Sequence, residues 1–253
     1  MSLPKEYISY SQIRLYQTCP KKFRFAYVDE IERPINDKVF LGTIFHAIVE
    51  YYLKEKISNK EPGKEELLTR FEEEFKECQK KQTVTWDVPE AETRKRGAAF
   101  IRHFLKEIAP EINPLMVEKE LVVDLPGLNV KLKGIIDLVE TDFSITDFKT
   151  TTAKWSKSRI KDSYLQMQIY RYIFEKCFGD VITHLRFRII YAKGNTGIKD
   201  QKVSVKALDL DSTKMMDIIN YVVENIRNGV FYKNENYTCS YCDFKELCRK
   251  ESK

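Results

Sequence analysis

The sequence has 253 residues, 43% of them hydrophobic and 32% charged, with a formal net charge of +5. That length supports a substantial core, and no apolar run approaches the roughly 20 residues of a membrane span. The opening Met1-Ser-Leu-Pro-Lys-Glu6 carries no apolar leader, so a soluble, cytoplasmic protein is expected, in which six cysteines point to ligand thiols rather than a disulfide framework.

In chain order, Ser9-Tyr-Ser-Gln12 has the form of a capping box and predicts a short helix bearing Ile13, Leu15 and Tyr16. Pro20 opens a second helix, which leaves Cys19 at the corner between the two. From Gly42 to about Lys56, the residues Ile44, Phe45, Ile48, Val49, Tyr52 and Leu53 recur at helical spacing, and two charged amphipathic helices follow over about 64–81 and 90–108. Between Leu115 and Lys149 the pattern changes to three β-rich runs, LMVEKELVVDL, NVKLKGIIDLVE and FSITDFK, separated by Pro126-Gly127 and by a turn at Thr141-Asp142. They predict an antiparallel three-strand unit. A helix from about Lys161 to Phe178, a strand HLRFRIIYA, a turn at Gly194-Asn-Thr-Gly197, a strand QKVSVKAL and a helix from about Ser212 to Arg227 complete the pattern. The expected fold is α/β with a mixed sheet, organised as one domain over 1–253 with a helical insertion at about 55–112, a core at about 113–210 and a cysteine cluster at 239–248.

Asp137 and Asp147 are equidistant from the turn at Asp142, so a hairpin centred there sets them opposite each other on one face, with Lys149 on the same side. Opposed acids on strands buried from both sides repel and lose hydration, and a divalent cation resolves that conflict. The sequence GIIDLVE followed by ITDFKT resembles the two central motifs of the PD-(D/E)XK nuclease superfamily. By that resemblance the fold is restriction-endonuclease-like, with a mixed central sheet flanked by helices. Asp137 and Asp147 would ligate Mg²⁺ or Mn²⁺, the Phe148 carbonyl could add a ligand, and Lys149 would orient or help activate a water for phosphodiester hydrolysis.

Further motifs point to the RecB-like branch of that superfamily. LGTIFHAIVE resembles its G-x-x-x-H helix, which nominates His46 as a metal ligand, and Glu118 matches an acid one strand before Asp137, although Glu120 is an equally polar neighbour. LQMQIYRY contains Gln166 and Tyr170 on one helix face and resembles the Q-x-x-x-Y motif, whose pair would contact the DNA backbone and shape the site. Between the Lys149 strand and that helix, Lys154, Trp155, Lys157 and Arg159 suit a single DNA strand, with phosphates on the cations and a base stacked on Trp155; a merely solvated loop also accounts for them.

Cys239-x2-Cys242-x5-Cys248 supplies three thiols, one short of a closed zinc or iron-sulfur site. Cys177 lies in an apolar helix and Cys78 in a charged one, so Cys19 is the candidate for the fourth. One early cysteine with a late C-x2-C-x5-C cluster resembles the iron-sulfur nucleases, namely the CRISPR-associated RecB-like exonucleases and the AddB helicase-nuclease subunit. The resemblance implies a 4Fe-4S cluster clasping the N- and C-terminal regions; from spacing alone, zinc stays open. It also implies a single-stranded DNA exonuclease acting 5′ to 3′, with helicase or integrase partner proteins and no membrane association. A catalytically silent or zinc-stapled DNA-binding scaffold is the alternative.

Overall fold

The computed structural model describes residues 3–192, 197–210 and 213–251. The expected turn at Gly194 to Thr196 and the helix start at Ser212 lie outside the described residues. The elements are β1 (Tyr7–Ser9), α1 (Tyr10–Thr18), α2 (Pro20–Phe23), β2 (Ile35–Asn36), α3 (Asp37–Ile57), α4 (Lys64–Lys81), β3 (Val84–Thr85), α5 (Glu90–His103), β4 (Pro114–Leu125), β5 (Val130–Glu140), β6 (Ser144–Thr151), α6 (Lys157–Asp162), α7 (Tyr164–Phe178), β7 (His184–Ala192), β8 (Ile198–Lys206), α8 (Thr213–Arg227) and α9 (Lys245–Lys250).

Local chemistry fixes several boundaries. Ser9 caps α1 through a capping box with Gln12, whose side-chain oxygen accepts the Ser9 N–H at 2.8 Å. Helix α3 starts earlier than the apolar spacing suggests, because the Asn36 side chain accepts from the N–H groups of Lys38 and Val39 at 3.1 and 2.9 Å. The single helix expected from Lys161 is instead two, α6 and α7, which meet at Ser163. Ser156 caps the first of them, and the Ser163 hydroxyl donates to the Arg159 carbonyl at 3.0 Å, closing it off. Strands β1, β2 and β3 are too short to show a periodicity.

The chain divides into two compact units. The first comprises Met1–Pro34, Leu121–Gly134 and Asp211–Lys253. Here β1 runs parallel to Lys131–Lys133 of β5, and α1 lies against α8, whose buried face is Met215, Ile219, Val222, Val223 and Ile226. The Tyr16 hydroxyl donates to the Val230 carbonyl at 2.6 Å, tying the first helix to the chain beyond α8.

The second unit comprises Ile35–Glu120 and Ile135–Leu210. Its sheet is mixed: β5 and β6 are antiparallel, β6 and β7 parallel, and β7 and β8 antiparallel. A continuous core joins Phe40, Ile44, Phe45 and Ile48 of α3 to Phe71 and Phe75 of α4, Phe100 of α5, and Leu138, Phe148 and Ile190 of the strands. The helical stretch after α3 therefore serves to brace α3 against the sheet. Helix α7 lies against β6 and buries Met167, Ile169, Ile173 and Phe174.

Gly97 marks the tightest contact in this brace. A β-carbon there would come within 2.5 Å of Phe71 Cζ and 2.6 Å of Leu41 Cδ1. Gly97→Ala is expected to lower stability by about 1–3 kcal/mol through overpacking, outweighing any gain in helix propensity, as measured by chemical denaturation.

Candidate metal centre and cysteine cavity

The β5–β6 hairpin sets the centre. Phe143 adopts φ +56° in its turn, and the Asp142 carboxylate accepts from the Ser144 N–H at 3.1 Å and hydroxyl at 2.6 Å. The ladder pairs Val139 with Ile145 and Leu138 with Thr146, a register that carries Asp137 to the position opposite Asp147. At that step Asp137 Oδ2 accepts the Phe148 N–H at 2.8 Å, taking the place of a strand carbonyl. The paired acids thus sit where the ladder ends, with one of them wedged into the fork. The Phe148 ring lies in the core beside Phe104, with ring centroids 6.0 Å apart.

Helix α3 reaches this fork because Gly42 faces Thr150, whose hydroxyl would lie 3.3 Å from an added β-carbon. One turn later, His46 Nδ1 lies 3.5 Å from Asp137 Oδ2 and 3.7 Å from Glu118 Oε1. Ligand atoms of His46, Glu118 and Asp137 all fall within 4.8 Å of one another. Of Glu118 and Glu120 in β4, the structure aims Glu118 at the centre, from a backbone at φ +45° that is strained for a non-glycine, while Glu120 is exposed.

Asp147 is fully enclosed, at 0% exposure. Its Oδ1 accepts from Gln166 Nε2 at 2.8 Å, and the same amide donates to the Tyr170 hydroxyl oxygen at 2.8 Å. Because a carboxylate only accepts, Asp147 fixes the Gln166 amide orientation, which leaves the Tyr170 hydrogen directed elsewhere. Lys149 Nζ forms an ion pair with Asp147 Oδ2 at 2.7 Å, and among the described residues that oxygen has no other polar partner.

The electrostatics follow from enclosure. Burial raises the Asp147 carboxyl to about 6, against the pull of Lys149 and with a push from Asp137. Burial also raises Asp137, although His46 and Lys149 oppose it. Burial disfavours a charged His46, but the Asp137 carboxylate and the Glu118 hydrogen bond overcome it and lift the imidazole to about 9. Tyr170 is raised well above its ordinary value by burial and then by Asp147. The cluster of His46, Glu118 and Asp137, with the enclosed Asp147 carboxylate opposite Asp137, fits a hard divalent cation such as Mg²⁺ or Mn²⁺.

The structure corrects one sequence expectation. Trp155 is only 6% exposed, with its ring centroid 5.7 Å from that of Phe187 and the Arg159 guanidinium 4.5 Å from its centroid. That ring is covered by protein and offers no open face to a base. Lys154, Lys157 and Arg159 are exposed around it.

In the first unit, Cys19, Cys239, Cys242 and Cys248 line one cavity of about 300 Å³, together with Lys21, Lys22, Lys233, Lys245 and Arg249. Among the described residues, no three of these sulfurs lie within 4.8 Å of one another. Burial raises the Cys248 thiol, while Lys21 and Lys233 pull it back. The sequence reading missed what holds the cavity together. The side-chain amides of Asn234 and Asn236 both donate to the Thr18 carbonyl at 3.0 Å, and the Lys21 N–H donates to the Tyr232 carbonyl at 3.1 Å. The paired asparagines just before Cys239 were the available signal. Cys78 is half-buried and Cys177 exposed, and neither lines this cavity.

A sequence profile of the PD-(D/E)XK nuclease superfamily matches residues 7–249. The chain belongs to that superfamily. The restriction-endonuclease-like fold of the superfamily agrees with the mixed sheet and flanking helices described above. The crystal structure of a "Putative exonuclease" from Eubacterium rectale superposes with a TM-score of 0.61 at 15% identity, over 96% of this chain and 88% of that one, a likeness of fold. The structure of SSO0001 aligns over 79% of this chain and 93% of its own at 15% identity, with a TM-score of 0.40 that carries no argument. No curated protein sequence matches the chain. Among the described residues, no helix is long and apolar enough to cross a membrane.

The enclosure of Asp147 predicts a stability cost in the metal-free protein. A carboxyl raised to about 6 in the fold, from an ordinary value near 3.8, destabilises the fold progressively as pH rises between those values and fully above them. Asp147→Asn is therefore expected to gain about 1–3 kcal/mol in EDTA at pH 7.5, with the gain vanishing below about pH 4, as followed by urea denaturation at each pH.

Proposed function

We propose that the chain is a divalent-metal-dependent DNA nuclease that hydrolyses phosphodiester bonds, and that its substrate is a free-ended single strand degraded 5′ to 3′. The observation that carries this reading is the cluster of His46, Glu118 and Asp137, with the enclosed Asp147 opposite Asp137 at the end of a strand ladder, in a chain of a nuclease superfamily. His46, Glu118, Asp137 and Asp147 would hold Mg²⁺ or Mn²⁺, with the Phe148 carbonyl as a further ligand. When bound, the cation supplies Lewis acidity, a more acidic water and a counter-charge for the phosphoryl oxygens.

The chain's own residues do the rest. Lys149, held 2.7 Å from Asp147, carries its proton into the site and orients the attacking water. Gln166 fixes Asp147 and at the same time the Tyr170 oxygen, so the phenol hydrogen is available to a backbone phosphate. The α3 and α7 side chains exclude bulk water from Asp147, which strengthens every charge contact there. A helicase or integrase partner would deliver the strand.

The four cysteines would hold a 4Fe-4S cluster as a structural clasp. Tetrahedral zinc draws thiolates to about 3.8 Å from one another, given Zn–S bonds near 2.3 Å. The ring of lysines around the cavity suits a tetrathiolate site, which is anionic with either metal, and the resemblance to the iron-sulfur nucleases favours the cluster.

Incubated with end-labelled single-stranded, duplex and circular DNA, the parent protein should degrade free-ended single strands only with Mn²⁺ or Mg²⁺. Asp147→Ala and Lys149→Ala should each fall at least about 100-fold. Equal activity of parent and Asp147→Ala, or activity undiminished by EDTA, would overturn the assignment. Purified without oxygen, the parent should be brown and carry about four iron and four sulfide per chain, and Cys19→Ala should be pale with a lower Tm. A colourless parent containing one zinc would replace the cluster with zinc.

A further inference from the structure

Trp155 is buried in the segment between β6 and α7. It is anchored at both backbone groups by one side chain: its N–H donates to Gln201 Oε1 at 3.1 Å, and its carbonyl accepts from Gln201 Nε2 at 3.4 Å. Phe187 supports the ring from within the sheet, in the β7 position paired with Asp147. Onto this supported indole lies the guanidinium of Arg159, 4.5 Å from the ring centroid, while the Arg159 side chain as a whole stays exposed. An arginine stacked on a ring loses less freedom when it pairs with an anion than one free in solvent, and its planar fork matches phosphate oxygens.

A second observation is independent of the stacking. Trp155 Nε1 is buried and, among the described residues, has no hydrogen-bond partner. Enclosed indole N–H groups ordinarily find an acceptor, so an unused one beside a guanidinium calls for a ligand. The chain around it is cationic, with Lys154 and Lys157 exposed on either side, and it leads through α6 directly into α7, which carries Gln166 and Tyr170.

We propose that Trp155 and Arg159 form a preorganised phosphate clamp: Arg159, propped on the indole, grips one backbone phosphate of the nucleic-acid strand, and the Trp155 Nε1–H becomes its second donor after a small shift of the ring. The clamp rests on the nuclease reading for its substrate, yet it is a positioning device outside the metal centre. Trp155 acts through its ring and N–H on a phosphate and stacks on no base, so the clamp is indifferent to sequence.

The test is equilibrium binding of a 5′-fluorescein single-stranded oligonucleotide in EDTA, read by anisotropy over a series of KCl concentrations, with full-length Arg159→Ala, Arg159→Lys and Trp155→Phe. Arg159→Ala should weaken binding about tenfold and flatten the log–log salt slope by about 0.7, the share of one phosphate on a single strand. Arg159→Lys should keep the slope but recover only part of the affinity, because the ammonium lacks the fork. Trp155→Phe retains a ring but no N–H, and should lose a few-fold in affinity at an unchanged slope. Parent-like affinity and slope in Arg159→Ala would overturn the clamp; since Arg159 is exposed, that variant should keep the parent Tm. Unchanged affinity in Trp155→Phe would remove the indole donor. Binding in EDTA requires no hydrolysis, so these outcomes separate from any failure of the nuclease assignment, which is read from cleavage by Asp147→Ala.

Discussion

The constraint on which the second unit turns is the enclosure of anionic oxygen. A carboxylate at 0% exposure loses its hydration, and among the described residues Gln166 at one oxygen of Asp147 and the Lys149 ion pair at the other are what replace it. Asp137 adds a second enclosed carboxyl that reaches the Phe148 N–H at the end of the ladder. The metal-free fold pays for this arrangement with raised carboxyl values and a cationic His46. A divalent ion bound there would remove the repulsion and release the protons, which would link ion binding to folding stability.

Much of the surrounding architecture keeps those groups in place. Helix α3 approaches β6 at Gly42 and presents His46 one turn later, and the aromatic brace of α4 and α5 holds α3 there through Phe71, Phe75 and Phe100. On the other side, α7 brings Gln166 and Tyr170 in at helical spacing. The strained backbone at Glu118 is the local cost of turning a strand residue toward the centre. In the first unit a different economy operates. Asparagine amides and backbone bonds already gather Cys19 and the C-terminal cysteines around one cavity, so a metal group there would complete a closure that the protein has begun.

What the sequence revealed was whatever depends on local spacing. The symmetry of Asp137 and Asp147 about Asp142 predicted their register, because hairpin pairing is fixed by counting from the turn. The i, i+4 relation of Gln166 and Tyr170 predicted their shared face, and the positions of α4 and β7 followed from apolar periodicity. Tertiary facts were not visible. No pattern in β4 announces the reversal of φ that selects Glu118 over Glu120, and nothing local says that Trp155 is covered by Phe187 from a strand some thirty residues on. Nor does spacing show that a pair of asparagines would bind the Thr18 carbonyl from the other end of the chain.

The most direct test of the account is whether the enclosed oxygens take an ion. Mn²⁺ titrated into the protein at pH 7.5 and followed by the loss of the free-ion EPR signal should show saturable binding that Asp137→Ala abolishes and that weakens toward pH 6 as His46 and Asp147 hold their protons. Mn²⁺ binding identical in parent and Asp137→Ala, or none in the folded parent, would contradict the account.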